Sequence, residues 1–348
     1  MAKIAKAEWC PYVLKFKFEA RTSRQSMHEK LTYLLRVTDC DSGKVGVGEC
    51  ALFQGLSAED SPEYEDILDK ACTSKCFDLP LSSIRFGYET AMKSLEPVED
   101  NPFTRGEEGI PTNGLIWMGD KATMKERIDA KLADGFQVLK LKIGGINFED
   151  EIDLLRYIRG RYSVSNLELR LDANGHFSSQ NALECLKRLN EFDIHSIEQP
   201  IMAGQIEEMA RICEDSPIPV ALDEELIGVR STEKMKKLLE TIRPAYVILK
   251  PSLCGGIGAA ESWIDIAQSM GIGWWVTSAL ESNIGLEHIA RWIYPRLKPD
   301  TSGHILPQGL GTGLLYSNNF PSHLQLRGEK LFYNPEVRVE ILELSWRR

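Results

Sequence analysis

Charged residues recur at five places between positions 140 and 250. Lys140 and Lys142 lie in Val-Leu-Lys-Leu-Lys-Ile. Asp172 ends Leu-Glu-Leu-Arg-Leu-Asp, and Glu198 stands in Ser-Ile-Glu-Gln-Pro. Asp223 follows Val-Ala-Leu, and Lys250 ends Val-Ile-Leu-Lys-Pro. Successive places are about 25–30 residues apart, the length of one strand–helix unit. Three carboxylates gathered at one rim repel one another unless a cation sits among them. Oxygen-only ligands favour a hard ion, Mg²⁺ with Mn²⁺ as the alternative. No His or Cys occupies these places, which argues against zinc. Asp172, Glu198 and Asp223 are therefore the candidate metal ligands.

The lysines suggest the reaction. Alternation along a strand points Lys140 and Lys142 the same way, into the barrel. Two neighbouring ammonium groups depress each other's pKa, so one can serve as a neutral base. Lys142, nearer the strand's end, takes that role, with Lys140 as its tuner. Lys250 falls roughly across the mouth from them. A lysine base beside a divalent cation suits removal of a proton from the carbon next to a carboxylate. The resulting enediolate is stabilised by the cation as a Lewis acid. The expected substrate is a small-molecule carboxylate.

Such a rim needs a set of parallel strands to carry it. From about residue 110, short apolar strands alternate with amphipathic helices. Strands are predicted at 112–117, 137–143, 167–172, 195–198, 218–223, 245–250 and 273–278, with a short one near 303–306. Helices are predicted at 121–134, 149–161, 178–191, 204–214, 231–241, 257–270 and 283–293. About eight strands in roughly 210 residues point to a closed barrel rather than an open sheet. No Gly-x-Gly-x-x-Gly follows the first strand, which weakens a dinucleotide-binding reading. The first part of the chain reads differently. It starts as a β-meander with a turn at Gly43, followed by helices at 58–76 and 82–95, the first starting near Ser61-Pro62.

Bulk properties exclude other classes. The 348 residues are 43% hydrophobic, enough for a large core, and the net charge is -10. An acidic chain without a basic patch is a poor partner for nucleic acid. No apolar run approaches the roughly 18–20 residues of a membrane span. Lys6 and Glu8 interrupt the apolar stretch an export signal needs, so the cytoplasm is the expected location. The eight cysteines are scattered and are expected to be reduced thiols.

The Lys140-Leu141-Lys142, Asp172, Glu198, Asp223 and Lys250 set resembles the enolase superfamily, in particular its muconate-lactonizing subgroup. Within it the o-succinylbenzoate synthase family is the most similar. The segments 113–117 (Asn-Gly-Leu-Ile-Trp), 277–285 (Thr-Ser-Ala-Leu-Glu-Ser-Asn-Ile-Gly) and 308–313 (Gln-Gly-Leu-Gly-Thr-Gly) carry that likeness. The resemblance implies an α/β fold: a modified TIM barrel of (β/α)7β type with an N-terminal α+β capping domain. The cap would span 1–105 and the barrel 106–324, with the tail 325–348 returning to the cap. It implies Mg-dependent syn-dehydration of 2-succinyl-6-hydroxy-2,4-cyclohexadiene-1-carboxylate to o-succinylbenzoate, on the way to menaquinone. Lys142 would act as base and then acid, with Lys250 as the cation on the opposite face.

Ser278, Gly311 and Thr312 lie where that family's substrate carboxylates meet barrel loops. Small residues there let backbone N–H groups approach an anion, and plain turn geometry is the alternative. Arg170, two residues before Asp172, shares its face and is a further substrate-binding candidate, with an interior ion pair as the alternative. Arg21, Arg24 and Phe53 are candidates from cap loops. Two rival functions remain. N-succinylamino acid racemases and dipeptide epimerases use the same two lysines. The Asp-x-Asp usual in dipeptide epimerases is absent, because Asp300 is followed by Thr301-Ser302. The more remote rival is a barrel that binds without catalysing.

Overall fold

The computed structural model describes residues 3–21, 26–301, 303–339 and 344–347. The chain begins with an antiparallel meander of β1 (Ile4–Arg21), β2 (Ser26–Asp39) and β3 (Val45–Cys50). The turn between β2 and β3 uses Gly43 at φ +68°. Two helices, α1 (Tyr64–Ser74) and α2 (Ser82–Lys93), cover one face of this sheet. The first starts at Tyr64, three residues after Ser61, with Glu63 rather than Ser61 at its cap. Close packing of α2 on β3 dictates glycine at Gly48. A Cβ there would sit 2.0 Å from the Gly87 carbonyl oxygen.

After β4 (Ile110–Pro111) the alternating part begins. Its strands are β5 (Gly114–Ile116), β6 (Val138–Lys142), β7 (Glu168–Asp172), β8 (Ser196–Glu198), β9 (Val220–Leu222), β10 (Tyr246–Leu249) and β11 (Gly273–Val276). Seven helices interleave with them: α3 (Lys121–Ala133), α4 (Phe148–Arg159), α5 (Ala182–Leu189), α6 (Ile206–Asp215), α7 (Thr232–Ile242), α8 (Ile257–Ser269) and α9 (Asn283–Ile293). Each observed element lies within a few residues of its predicted range. Side chains at helix starts accept orphan backbone N–H groups: Asp120 for α3, Asn147 for α4, Ser231 for α7 and Ser282 for α9. Gly271, just past α8, adopts φ +72°, as a helix stop requires.

The seven strands pair in parallel in the order β5 to β11. Parallel bridges Thr112–Gln308 and Thr277–Gly309 join the first and last of them, so residues 308–309 close the barrel. This closing segment lies a few residues later than the short strand expected near 303–306. One large apolar cluster fills the space between strands and helices, from Ile116 through Leu169, Val247 and Trp263 to Leu310. Because all the strands run one way, their C-terminal ends share one rim.

The end of the chain divides its contacts. β12 (Leu324–Arg327) and β13 (Lys330–Tyr333) form a hairpin that pairs with β4, where the chain enters the barrel. Arg347 bridges to Trp9, and Trp346 packs against the sheet of β1 and β2. Among the described residues, no helix is long and apolar enough to cross a membrane.

Candidate active site

The charged groups gather where β6 to β10 end. Register sets their positions directly: Lys142 pairs with Asp172 across β6 and β7, and Asp172 with Glu198 across β7 and β8. A cavity opens at this rim. Lys140, Lys142, Asp172, Asn174, Glu224 and Lys250 line its charged side. Phe53 and Leu56 from the amino-terminal region, with Leu115, Trp117, Leu253 and Leu280, form its apolar walls. Ser278, Gly311 and Thr312 line it as well.

Within the site, ammonium groups stand between the carboxylates. Lys140 Nζ lies 3.0 Å from Asp172 Oδ2 and 2.6 Å from Glu198 Oε2. Lys142 Nζ donates to Asp172 Oδ2 at 2.9 Å and to Asn174 Oδ1 at 2.8 Å. Lys250 Nζ pairs with Asp223 Oδ2. Glu198 and Asp223 are buried behind Lys140 and Lys250 and are not among the residues that line the cavity.

These contacts correct one expectation. Lys140 does not have its pKa lowered. Burial pulls it down, but Asp172 and Glu198 together outweigh burial and the repulsion from Lys250, so its ammonium is held above the ordinary lysine value. Lys250 behaves alike: burial lowers it, and Asp223, Glu198 and Glu224 raise it well above the usual range. Burial pushes Asp172 up, yet Lys140, Lys142 and Lys250 hold it well below the carboxylate range. Glu198 is raised to about 7 by burial and by the negative charges of Asp172 and Asp223. Burial likewise raises Asp223, against the pull of Lys250.

The comparisons with known proteins fit this geometry. The family described as "Enolase C-terminal domain-like" matches residues 123–294. The o-succinylbenzoate synthase of Desulfotalea psychrophila is 43% identical over 90% of this chain and 95% of its own length. The chain belongs to the enolase superfamily. The crystal structure of MenC from Desulfotalea psychrophila covers 95% of this chain and all of its own, with a TM-score of 0.77 and 40% identity. An N-succinyl-L-Arg/Lys racemase of Bacillus cereus is 29% identical over 52% of this chain and 48% of its own length.

Membership in this superfamily raises the question of a metal. The donor set is chemically suited to one. Asp172, Glu198 and Asp223 offer oxygen alone, and Glu198 Oε1 is buried with no hydrogen-bond partner. A buried carboxylate oxygen left unpaired is costly, and a hard cation would relieve it. As placed, lysine ammonium groups supply the positive charge, and among the described residues no three Asp, Glu, His or Cys side chains converge on one point.

Other candidates separate clearly. Arg170 is not at the cavity. Its guanidinium bonds Glu168 Oε1 and the Pro307 carbonyl and lies 4.5 Å from the centre of the Trp275 ring, one layer below the site. Arg21 is exposed and paired with Glu19, whereas Phe53 is a cavity wall. Arg24 lies outside the described residues.

Sequence reasoning missed Asn174, Glu224 and Gln199. Asn174 sits two residues beyond Asp172, an Asp-x-Asn spacing that could have marked it. Gln199 takes φ +41° just after Glu198, and its Oε1 accepts the backbone N–H of Asp223 at 3.2 Å. That side chain ties the ends of β8 and β9 together.

Proposed function

We propose that this chain catalyses the syn-dehydration of 2-succinyl-6-hydroxy-2,4-cyclohexadiene-1-carboxylate to o-succinylbenzoate. The observation that carries the reading is near full-length similarity to an o-succinylbenzoate synthase in a chain that brings Lys142 and Lys250 to one cavity. β6 and β10 are separated by three strands of the barrel, so the two lysines approach a bound ring from different sides.

The mechanism follows from the contacts. Lys142 has two acceptors, Asp172 and Asn174. A neutral amine satisfies both with its two N–H groups and keeps a lone pair for the substrate's α-proton. Having taken that proton, Lys142 is an ammonium. It then donates to the departing hydroxyl on the same face, which leaves as water while the ring becomes aromatic. Lys250, whose charge is held by the surrounding carboxylates, stays cationic and stabilises the negative charge that develops on the substrate. Asp172, Glu198 and Asp223 would hold Mg²⁺, which would supply Lewis-acid stabilisation of negative charge developing beside the carboxylate. Phe53, Leu56, Trp117 and Leu253 exclude water from the ring, and Ser278, Gly311 and Thr312 receive the succinyl end. The reaction lies on the route to menaquinone, and its place is the cytoplasm.

Racemisation of N-succinylamino acids is the second reading, favoured by the Bacillus cereus relative and by a lysine on each side of the cavity. Dipeptide epimerisation is less well supported. Asp300 is not among the residues lining the cavity, and it accepts from the His304 N–H in a turn.

The test is incubation of the protein and Mg²⁺ with the cyclohexadiene carboxylate, following the diene absorbance beside an EDTA-treated control. Metal-dependent formation of o-succinylbenzoate is the expected result. No turnover, together with α-proton exchange of N-succinylamino acids in D₂O, would move the function to racemisation.

A further inference from the structure

The end of β6 is held by a carboxylate that never reaches the cavity. Two residues beyond Lys142 the chain turns sharply at Gly144, with φ +90°. A side chain at that position would be blocked as well as strained, since its Cβ would fall 2.4 Å from His176 Cγ. The turn aims the successive backbone N–H groups of Gly144, Gly145 and Ile146 inward. Such a run of N–H groups is a ready anion cradle. Here the chain itself supplies the carboxyl group that faces it. The Gly144 N–H donates to Glu151 Oε1 at 2.6 Å, and the N–H groups of Gly145 and Ile146 help favour the ionised carboxylate against burial, which pushes its pKa up to about 7. Glu151 sits in the first turns of α4 and is only 3% exposed. On the other side, the Ile143 N–H donates to the Asp172 carbonyl at 2.9 Å. The strand end that carries Lys142 is therefore pinned to β7 on one side and to α4 on the other.

We infer that Glu151 is a positioning residue for Lys142, fixing through the 144–146 turn where the amine meets the substrate's α-carbon. This rests on the base role proposed for Lys142. Glu151 is not among the residues that line the cavity. Its carboxylate gives the turn a single conformation, and through Ile143 it sets the height and direction of Lys142. A plain stability role would lower the melting temperature and leave the chemistry of each folded molecule unchanged. A positioning role changes the chemical step itself.

The experiment uses the full chain carrying Glu151→Gln, which keeps the shape but presents an amide N–H₂ to backbone donors. Turnover per folded molecule is measured at saturating substrate with Mg²⁺, together with the deuterium isotope effect at the α-carbon. The expected result is a fall in kcat of about 10- to 100-fold, as for a misplacement of roughly 1 Å, KM within about twofold of the parent, and a larger isotope effect on kcat. Glu151→Asp, which keeps the charge but withdraws it by one methylene, is expected to change in the same direction and serves if the glutamine variant does not fold. Unchanged kcat and isotope effect, with only a lower melting temperature, would overturn the inference. Should the parent protein be inert on the cyclohexadiene acid, the proposed reaction fails. The comparison then runs on α-proton exchange of N-succinylamino acids or dipeptides in D₂O, where the same fall is expected and unchanged exchange overturns the positioning role. Amide hydrogen exchange at residues 142–146 needs no substrate. It is expected to accelerate in either variant, and exchange as slow as in the parent also overturns the inference.

Discussion

Lys142 Nζ lies 2.9 Å from Asp172 Oδ2, and the two residues are direct partners in the β6–β7 ladder. The proposed base and a candidate metal ligand are thus fixed by the same backbone register. Lys142→Ala should reduce turnover by about 10²- to 10⁴-fold, the usual contribution of a positioned general base. Asp172 keeps Lys140 at 3.0 Å, so the fold should survive. Lys142→Arg should be as inactive, because a guanidinium does not deprotonate near neutral pH. Steady-state rates beside circular dichroism check both variants. A loss smaller than tenfold in Lys142→Ala would remove Lys142 from the base role.

Metal dependence should appear in stability as well as in rate. A ligand that binds only the folded chain adds about 2.7 kcal/mol at 100 times its Kd. Thermal melting of the parent should therefore rise with added Mg²⁺ and fall back with EDTA. Glu198→Gln removes one charge from the donor set, and in this variant the Mg²⁺-induced rise should shrink markedly. Differential scanning calorimetry with and without Mg²⁺ measures both. A parent protein whose melting ignores Mg²⁺ would contradict the assignment of Asp172, Glu198 and Asp223.

Much of this site was legible in the sequence because its logic is periodic. One charged residue per strand–helix unit places Asp172, Glu198 and Lys250 on one rim, and the structure finds them on β7, β8 and just past β10. Alternation gives the face of a strand but not the depth along the barrel. Arg170 therefore reads as a neighbour of Asp172, although it is spent on Glu168 and Pro307 a layer below. The charge state of Lys140 itself was illegible for a different reason. Proximity of two lysines was visible in Lys-Leu-Lys, but the carboxylates that raise Lys140 against burial and against the repulsion of Lys250 come from other strands. Gln199 and Glu151 meet backbone groups of loops and leave no period to read.

Barrel closure and substrate binding should respond differently to the same substitution at two nearby glycines. A Cβ at Gly309 would lie 2.0 Å from Thr277 Oγ1, within the bridge that completes the barrel. Gly309→Ala should destabilise the fold by about 1–3 kcal/mol, the cost of overpacking a filled interior. At Gly311 the nearest atom would be Thr112 Oγ1 at 3.2 Å, a contact that a small shift relieves. Gly311 lines the cavity, so Gly311→Ala should raise KM several-fold with little change in melting. Urea unfolding and steady-state kinetics on the pair test the distinction. The assignment of Gly311 to substrate binding fails if its KM is unchanged.

Mild acid should loosen the junction between the amino-terminal sheet and α9. His288, on α9, lies near the backbone of Val47 on β3, which favours its charged form but is outweighed. Burial and the nearby Arg291 lower its pKa from 6.5 to about 4, with Glu287 opposing. The sign follows from proton counting. Between pH 6.5 and 4 the unfolded chain binds a proton on this residue and the folded chain does not, so stability rises with pH across that window. The contribution is fully present above pH 6.5 and is lost as pH falls towards 4. From pH 7 to pH 5 the loss is at most about 2 kcal/mol. Glu151 and Glu198, both raised to about 7, slope the opposite way, so the informative quantity is a difference. Urea unfolding of the parent and of His288→Gln at pH 7 and pH 5 isolates it. The parent should lose more stability than the variant on acidification, and equal losses would show that His288 is not held neutral in the folded chain.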